Sequence, residues 1–182
     1  AFQYNGIQHV IMPNELDSIK DKVFYGCKIM HTIQFSNNLK YIGQSSFYDC
    51  DALSSIDLPS TLEMISFRAF SNCGGLKYVS LPSGFVGIGK GAFTNCSSLS
   101  KVRCKALTPP SFINASTYKD RYDYPFQGTS ANLRILVNAE VLEQYKEHEH
   151  PNNNIATAVG WKYYMDKIFG LSIFVQDGDW SD

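Results

Sequence analysis

The sequence predicts a short repeat solenoid, built of stacked coils and closed at its C-terminal end by a small α+β cap. Three observations carry that expectation. A unit of 23 residues recurs in phase, apolar residues keep fixed places within it, and the period fails in the C-terminal part. Residues 53–75, LSSIDLPSTLEMISFRAFSNCGG, are matched position for position by residues 76–98, LKYVSLPSGFVGIGKGAFTNCSS. Looser copies occupy 7–29 and 30–52, and a fifth opens at Leu99 and is expected to break off after Cys104. One such coil cannot bury its own apolar face, but a stack of them makes a continuous core.

Each column of the repeat has a physical task. The first runs Ile7, Met30, Leu53, Leu76, Leu99, the fourth Val10, Ile33, Ile56, Val79, Val102, and the sixth Met12, Phe35, Leu58, Leu81, Cys104. This spacing is that of a short strand with β-branched residues on the pleat, one per copy. Pro13, Pro59 and Pro82 end the strand because proline cannot donate the next ladder bond; Ser36 takes that place in the second copy. Then come Leu16, Leu39, Leu62, Phe85 and Ile19, Ile42, Ile65, Ile88, followed by Phe24, Phe47, Phe70, Phe93, preceded by Val23, Ser46, Ala69 and Ala92. Five strands stacked ~4.8 Å apart span about 20 Å, so a short, curved solenoid is expected.

The unit resembles the BspA-like, Treponema-type leucine-rich repeats of bacterial surface proteins. The motifs that carry the resemblance are L-x-x-V-x-L-P, L-x-x-I-G and A-F-x-x-C, as they stand in residues 76–96. Lys20 and Ser66 depart from the glycine of the second motif, and Val23 and Ser46 from the alanine of the third. The resemblance implies a right-handed α/β superhelix of short strands with irregular or short helical returns. It also implies a secreted or cell-surface setting and a role in recognition or adhesion. Its repeats would fill residues 1–105, with copies starting at 7, 30, 53, 76 and 99 and residues 1–6 the remnant of an upstream copy, and residues 106–182 would form the cap. Ala1-Phe2 fits that remnant as the A-F of an earlier unit, so the N-terminus reads as processed or cut from a longer protein.

With aromatic residues plentiful and 44% of residues hydrophobic, disorder is excluded. A net charge of −1 removes the electrostatic case for nucleic acid or an anionic membrane surface. No apolar run approaches the ~18 residues of a membrane span. Cys27, Cys50, Cys73 and Cys96 stand 23 residues apart in one column. Parallel side chains in a linear stack suit neither a disulfide nor the convergent ligands of zinc, so these are read as buried free thiols.

In the tail, Thr108-Pro109-Pro110 is expected to stop the coil, and residues 113–132, with Tyr118, Tyr122, Tyr124 and Phe126, to form a long loop over the solenoid end. Leu133–Val137 reads as a strand that rejoins the sheet. Asn138 caps a helix from Ala139 to about Glu149, Trp161–Ile168 packs back as a second helical segment, and Leu171–Val175 is a final strand. The T-P-P, Tyr145-Lys146 and Trp161-Lys162-Tyr163 elements resemble the closing segment of the same family, and capping the apolar cross-section is their physical role.

Strand positions three and five of each copy point away from the core and should form the concave face. The pairs are His9 and Ile11, Thr32 and Gln34, Ser55 and Asp57, Tyr78 and Ser80, Lys101 and Arg103. A ligand there is expected to meet Gln34, Asp57, Tyr78, Lys101 and, at the rim, Arg103. The bland alternative is that small polar residues simply solvate an open sheet. Glu147, His148, Glu149 and His150 lack the i, i+4 spacing of a metal-binding helix, and Gly87, Gly89 and Gly91 belong to a repeat turn, not a phosphate loop. Asn95-Cys96-Ser97 and Asn114-Ala115-Ser116 fit the glycosylation pattern, which matters only in a eukaryotic secretory host. No nucleophile–base constellation, cofactor motif or metal set stands out. The expectation is a non-catalytic module that binds a protein or glycan through the concave sheet or the 113–132 loop. The alternatives are a spacer within a larger surface protein and, least supported, an enzyme built on the C-terminal block.

Overall fold

A computed structural model describes residues 1–113, 125–142, 144 and 172–175 of the chain. The repeat folds as predicted, into coils stacked one upon the next, and every strand pairing between them is parallel. The sheet expected to be concave, called the front here, contains β1 (His9–Ile11), β3 (Thr32–Gln34), β6 (Tyr78–Leu81), β8 (Lys101–Cys104), β10 (Arg134–Val137) and β11 (Ser172–Val175). A back sheet runs unbroken through β2 (Ser18–Ile19), β4 (Tyr41–Ile42), β5 (Met64–Ile65), β7 (Gly87–Gly89) and β9 (Ser111–Ile113). The return legs are therefore short strands. The described residues hold a single 3-10 turn, Ala139–Val141, capped by the Asn138 side chain, which accepts from the Glu140 amide at 2.9 Å. Leu142 and Gln144 continue it as helix, and the remainder of the expected helix and the 161–168 segment lie outside the described residues.

The interior is a set of columns. Phe24, Phe47, Phe70 and Phe93 stack in order with ring centroids 5.2, 4.9 and 5.4 Å apart. Phe2 extends the column at 5.7 Å and takes the place foreseen for it. Around each phenylalanine the backbone makes a third ladder. The Phe24, Phe47 and Phe70 amides donate to the carbonyls of Ser46, Ala69 and Ala92 in the next coil. Residues two before and two after the ring take positive φ: Lys22, Ser45, Arg68 and Gly91 on one side, Gly26, Asp49, Asn72 and Asn95 on the other. The second set is Gly, Asp and Asn, the types that tolerate this region best. The first set, apart from Gly91, is not, so the stack imposes strain there that its other contacts outweigh.

The departures from the motif have local explanations. Ser46, in place of alanine, is buried and donates its hydroxyl to the Gly43 carbonyl at 2.6 Å. Ser36, in place of proline, donates to the Asn14 carbonyl at 3.0 Å. In GIGKG, a side chain on Gly87 would strike Ile113, one on Gly89 would strike the Ser66 and Phe67 backbone, and Gly91 has φ +64°.

Two expectations are corrected. The front ladder does not have one strand per copy: residues 53–58 of the third coil form none, and the front sheet divides into β1–β3 and β6–β8–β10–β11. Ser54, Ser55 and Asp57 supply the reason. Such residues pack poorly on a pleated surface and compete for backbone hydrogen bonds. Leu53 and Ile56 stay buried even so, and the core passes through without a gap. The second correction concerns the fifth coil, which does not break off after Cys104. Pro109-Pro110 lead into β9, which pairs with β7, and Phe126 is no loop residue: it is buried and stacks on Phe93 at 5.6 Å. The Phe93 amide donates to the Pro125 carbonyl, just as earlier phenylalanines donate to the residue before the next ring. The coil is thus complete but enlarged: twelve residues, 114–125, separate its back strand from its phenylalanine, where the fourth coil has three, 90–92. The expected rejoining strand is β10, aligned Arg134 to Lys101 and Val137 to Cys104 on β8, and β11 pairs beyond it.

Candidate functional site

The front sheet brings together part of the expected site. Tyr78 of β6 and Lys101 of β8 are direct register partners, and the Lys101 Nζ lies over the Tyr78 ring, 5.5 Å from its centroid. Such a cation–π contact holds the ammonium over an aromatic face at a half-exposed position. Arg103 lies two residues along β8, opposite Ser80, and is half-buried. These three side chains share one continuous four-stranded ladder. Gln34 does not join them. It sits exposed on β3, opposite Ile11, in the separate two-stranded sheet. Asp57 is exposed on the strandless third coil between the two sheets. The five positions therefore lie along one face but not on one sheet.

Sequence reasoning missed Arg134, which the β8–β10 register places directly beside Lys101. Alternation within Leu133–Val137 already turns this residue away from the buried Leu133, Ile135 and Val137. Its register depended on an insertion the repeat does not contain. At the other end of the face, the His9 Nδ1 is 2.9 Å from the Thr32 Oγ1, and the His9 and His31 rings are 6.3 Å apart.

The thiol column is buried as expected. Each Sγ donates to the carbonyl of the phenylalanine one coil earlier: Cys27 to Phe2, Cys50 to Phe24, Cys73 to Phe47, Cys96 to Phe70, at 3.0 to 3.3 Å. Burial pushes the Cys50 thiol up to about 12, and burial likewise raises Cys27 and Cys73, the latter helped by its contact with Cys96. A thiol held neutral is a poor nucleophile and a poor metal ligand. Among the described residues no group of three or more His, Cys, Asp or Glu side chains is placed to hold a metal ion, and no helix is long and apolar enough to cross a membrane. His148 and His150, Tyr118, Tyr122 and Tyr124, and Asn114 lie outside the described residues.

The repeat pattern of the BspA type leucine rich repeat region matches residues 1–130, in six copies. The chain belongs to this family. Six copies agree in number with five coils preceded by the Phe2 segment. No curated protein matches the chain. Among solved structures, a leucine rich repeat protein of T. pallidum aligns over 82% of this chain and 86% of its own, with 21% identity and a TM-score of 0.53. A leucine-rich repeat protein from Bacteroides ovatus aligns over 97% of this chain with 22% identity and a TM-score of 0.56, and the pneumococcal vaccine antigen PcpA over 94% with 17% and 0.53. This chain spans 44% and 42% of those two, respectively. At these identities the likeness is one of fold, and it places the BspA-type coils here in the same solenoid class.

Proposed function

We propose that the chain is a non-catalytic recognition module of a secreted or cell-surface bacterial protein, and that it takes a protein or glycan ligand on the C-terminal half of its front sheet. The observation that carries this reading is the Tyr78–Lys101 pair, at 5.5 Å on adjacent strands of an ordered ladder, with Arg103 beside it. A tyrosine offers large contact area at low entropic cost, and a cation set over it adds a directional charge. Gln34 and Asp57 would act as flanking contacts, and the 113–132 segment as a second surface. The C-terminal block, whose β10 and β11 continue the sheet, would cover the last coil. Family membership supports the surface setting.

The competing reading is a structural spacer in a larger surface protein. The unbroken back sheet and phenylalanine column favour it, because they set length without presenting a site. A glycan array and a panel of host matrix proteins separate the two. A probe that binds the parent should bind Tyr78→Ala more weakly by over about 1 kcal/mol, and Lys101→Ala should mainly change the salt dependence. Equal binding by both variants moves the site off the front sheet. Failure of every probe to bind the parent favours the spacer.

A further inference from the structure

In the first two coils the position after the phenylalanine of the column holds tyrosine, Phe24-Tyr25 and Phe47-Tyr48, where the third and fourth coils hold the buried Ser71 and Thr94. The Tyr25 and Tyr48 rings lie face to face, 4.8 Å apart and within 7° of parallel. Tyr4, 71% exposed, meets Tyr25 edge-on at 5.4 Å. The pair is held from several sides. The Gly26 amide donates to the Tyr48 carbonyl at 2.7 Å, and the Asn72 Nδ2 donates both to the Tyr48 hydroxyl at 2.9 Å and to the Asp49 Oδ1 at 2.8 Å. Both rings are half-exposed, whereas all five cysteines are buried. Susceptibility of a thiol to oxidants follows its exposure and thiolate character, so an oxidant in solvent meets these phenols before the thiols.

We propose that Tyr25 and Tyr48 form a modification site, where a peroxide acting through a one-electron haem oxidant joins the first two coils as a dityrosine. Each phenol loses one electron and its hydroxyl proton. The two phenoxyl radicals couple through ring carbons ortho to oxygen, one Cε from each ring, forming a C–C bond. Each of those carbons then passes its proton to its own oxygen, which restores both phenols. The protein loses two hydrogen atoms in all, and one hydrogen peroxide is reduced to two waters. Stacking by the repeat has already brought the ring carbons side by side, so coupling needs only a local ring rotation. The new bond ties coil one to coil two beside the ring column, where Phe24 stacks on Phe47.

The test treats the full chain, dilute, with hydrogen peroxide and a haem peroxidase, and maps the digested peptides by mass spectrometry. The expected product is one linked peptide pair joining Tyr25 to Tyr48 within a single chain, lighter by two hydrogens, with dityrosine fluorescence. Tyr48→Phe keeps the ring stack and should lose that product completely; it gives up the Asn72 contact to the hydroxyl, while the Asn72 Nδ2 keeps its Asp49 acceptor, so its melting temperature before oxidation should fall only slightly. Oxidation should raise the melting temperature of the parent and leave that of Tyr48→Phe where it was. The proposal is overturned if the links join only other tyrosines or only separate chains, if Tyr48→Phe gives the same product, or if the cysteines oxidise while both tyrosines stay intact.

Discussion

The same coils build two sides that differ in continuity. On the phenylalanine side, rings stack without interruption from Phe2 to Phe126, and the backbone ladder beside them repeats in every coil. On the front side the ladder stops at the third coil and resumes at the fourth. The difference lies in what each side demands of the sequence. A ring column inside a close-packed core accepts almost nothing but a ring of the same size, so each coil must supply one. An outward-facing strand needs only modest propensity, and Ser54, Ser55 and Asp57 fall below it while Leu53 and Ile56 still bury. Coil stacking is set by the interior, and the front ladder follows where its residues permit.

If that contrast is right, damage to the interior should dominate. Phe70 is fully buried between Phe47 and Phe93, with both ring pairs 2° from parallel. Phe70→Ala should lower stability by about 3–5 kcal/mol in denaturant unfolding, because stacked neighbours on both sides keep the cavity from closing. A loss below about 1 kcal/mol would place the load elsewhere.

The thiol column gives a second lever, through pH. Burial lifts Cys50 from the ordinary 9.0 to about 12. The folded chain therefore keeps a proton that the unfolded chain releases above pH 9.0. Its contribution is whole below that value and is lost as pH rises toward about 12. The melting temperature should fall over this window, and Cys50→Ala should fall less steeply than the parent. Parallel curves would show that the thiol is reached by water.

A smaller effect should appear at the positive-φ positions. Gly91 has φ +64°, and an added Cβ would lie 3.1 Å from Arg68 Cγ and 3.2 Å from Thr94 Oγ1. Gly91→Ala should lower stability by about 1–2 kcal/mol. In the same column Lys22 is exposed with φ 56°, and Lys22→Gly should raise stability by up to about 1 kcal/mol. Equal and negligible shifts in thermal unfolding would mean that the turns are not strained.

What was legible in the sequence follows from the same contrast. The Phe, Cys, Leu and Ile columns could be read directly, since burial restricts them to a few residue types at a fixed interval. Phe2 was placed correctly for that reason. Phe126 was missed because the longer 114–125 segment moves it out of phase with Phe93, although its chemistry is that of the column. The gap in the front sheet was missed because L-x-x-I-x-L persists at 53–58 while the intervening serines and aspartate carry the deciding signal. Of the expected site, Tyr78, Lys101 and Arg103 came together because their front strands keep the 23-residue register. Gln34 was separated by the break at coil three, and Arg134 was overlooked because its register lies beyond the insertion.

Hydrogen exchange of backbone amides tests the central contrast most directly. The Phe47, Phe70 and Phe93 amides donate to the next coil at 2.7–2.8 Å and should exchange only with global unfolding. Amides of residues 55–58 in the third coil should exchange much faster than those of 78–81 in the fourth, despite identical repeat positions. Equal protection of the two front segments would contradict the account, and so would early exchange at the phenylalanine turns.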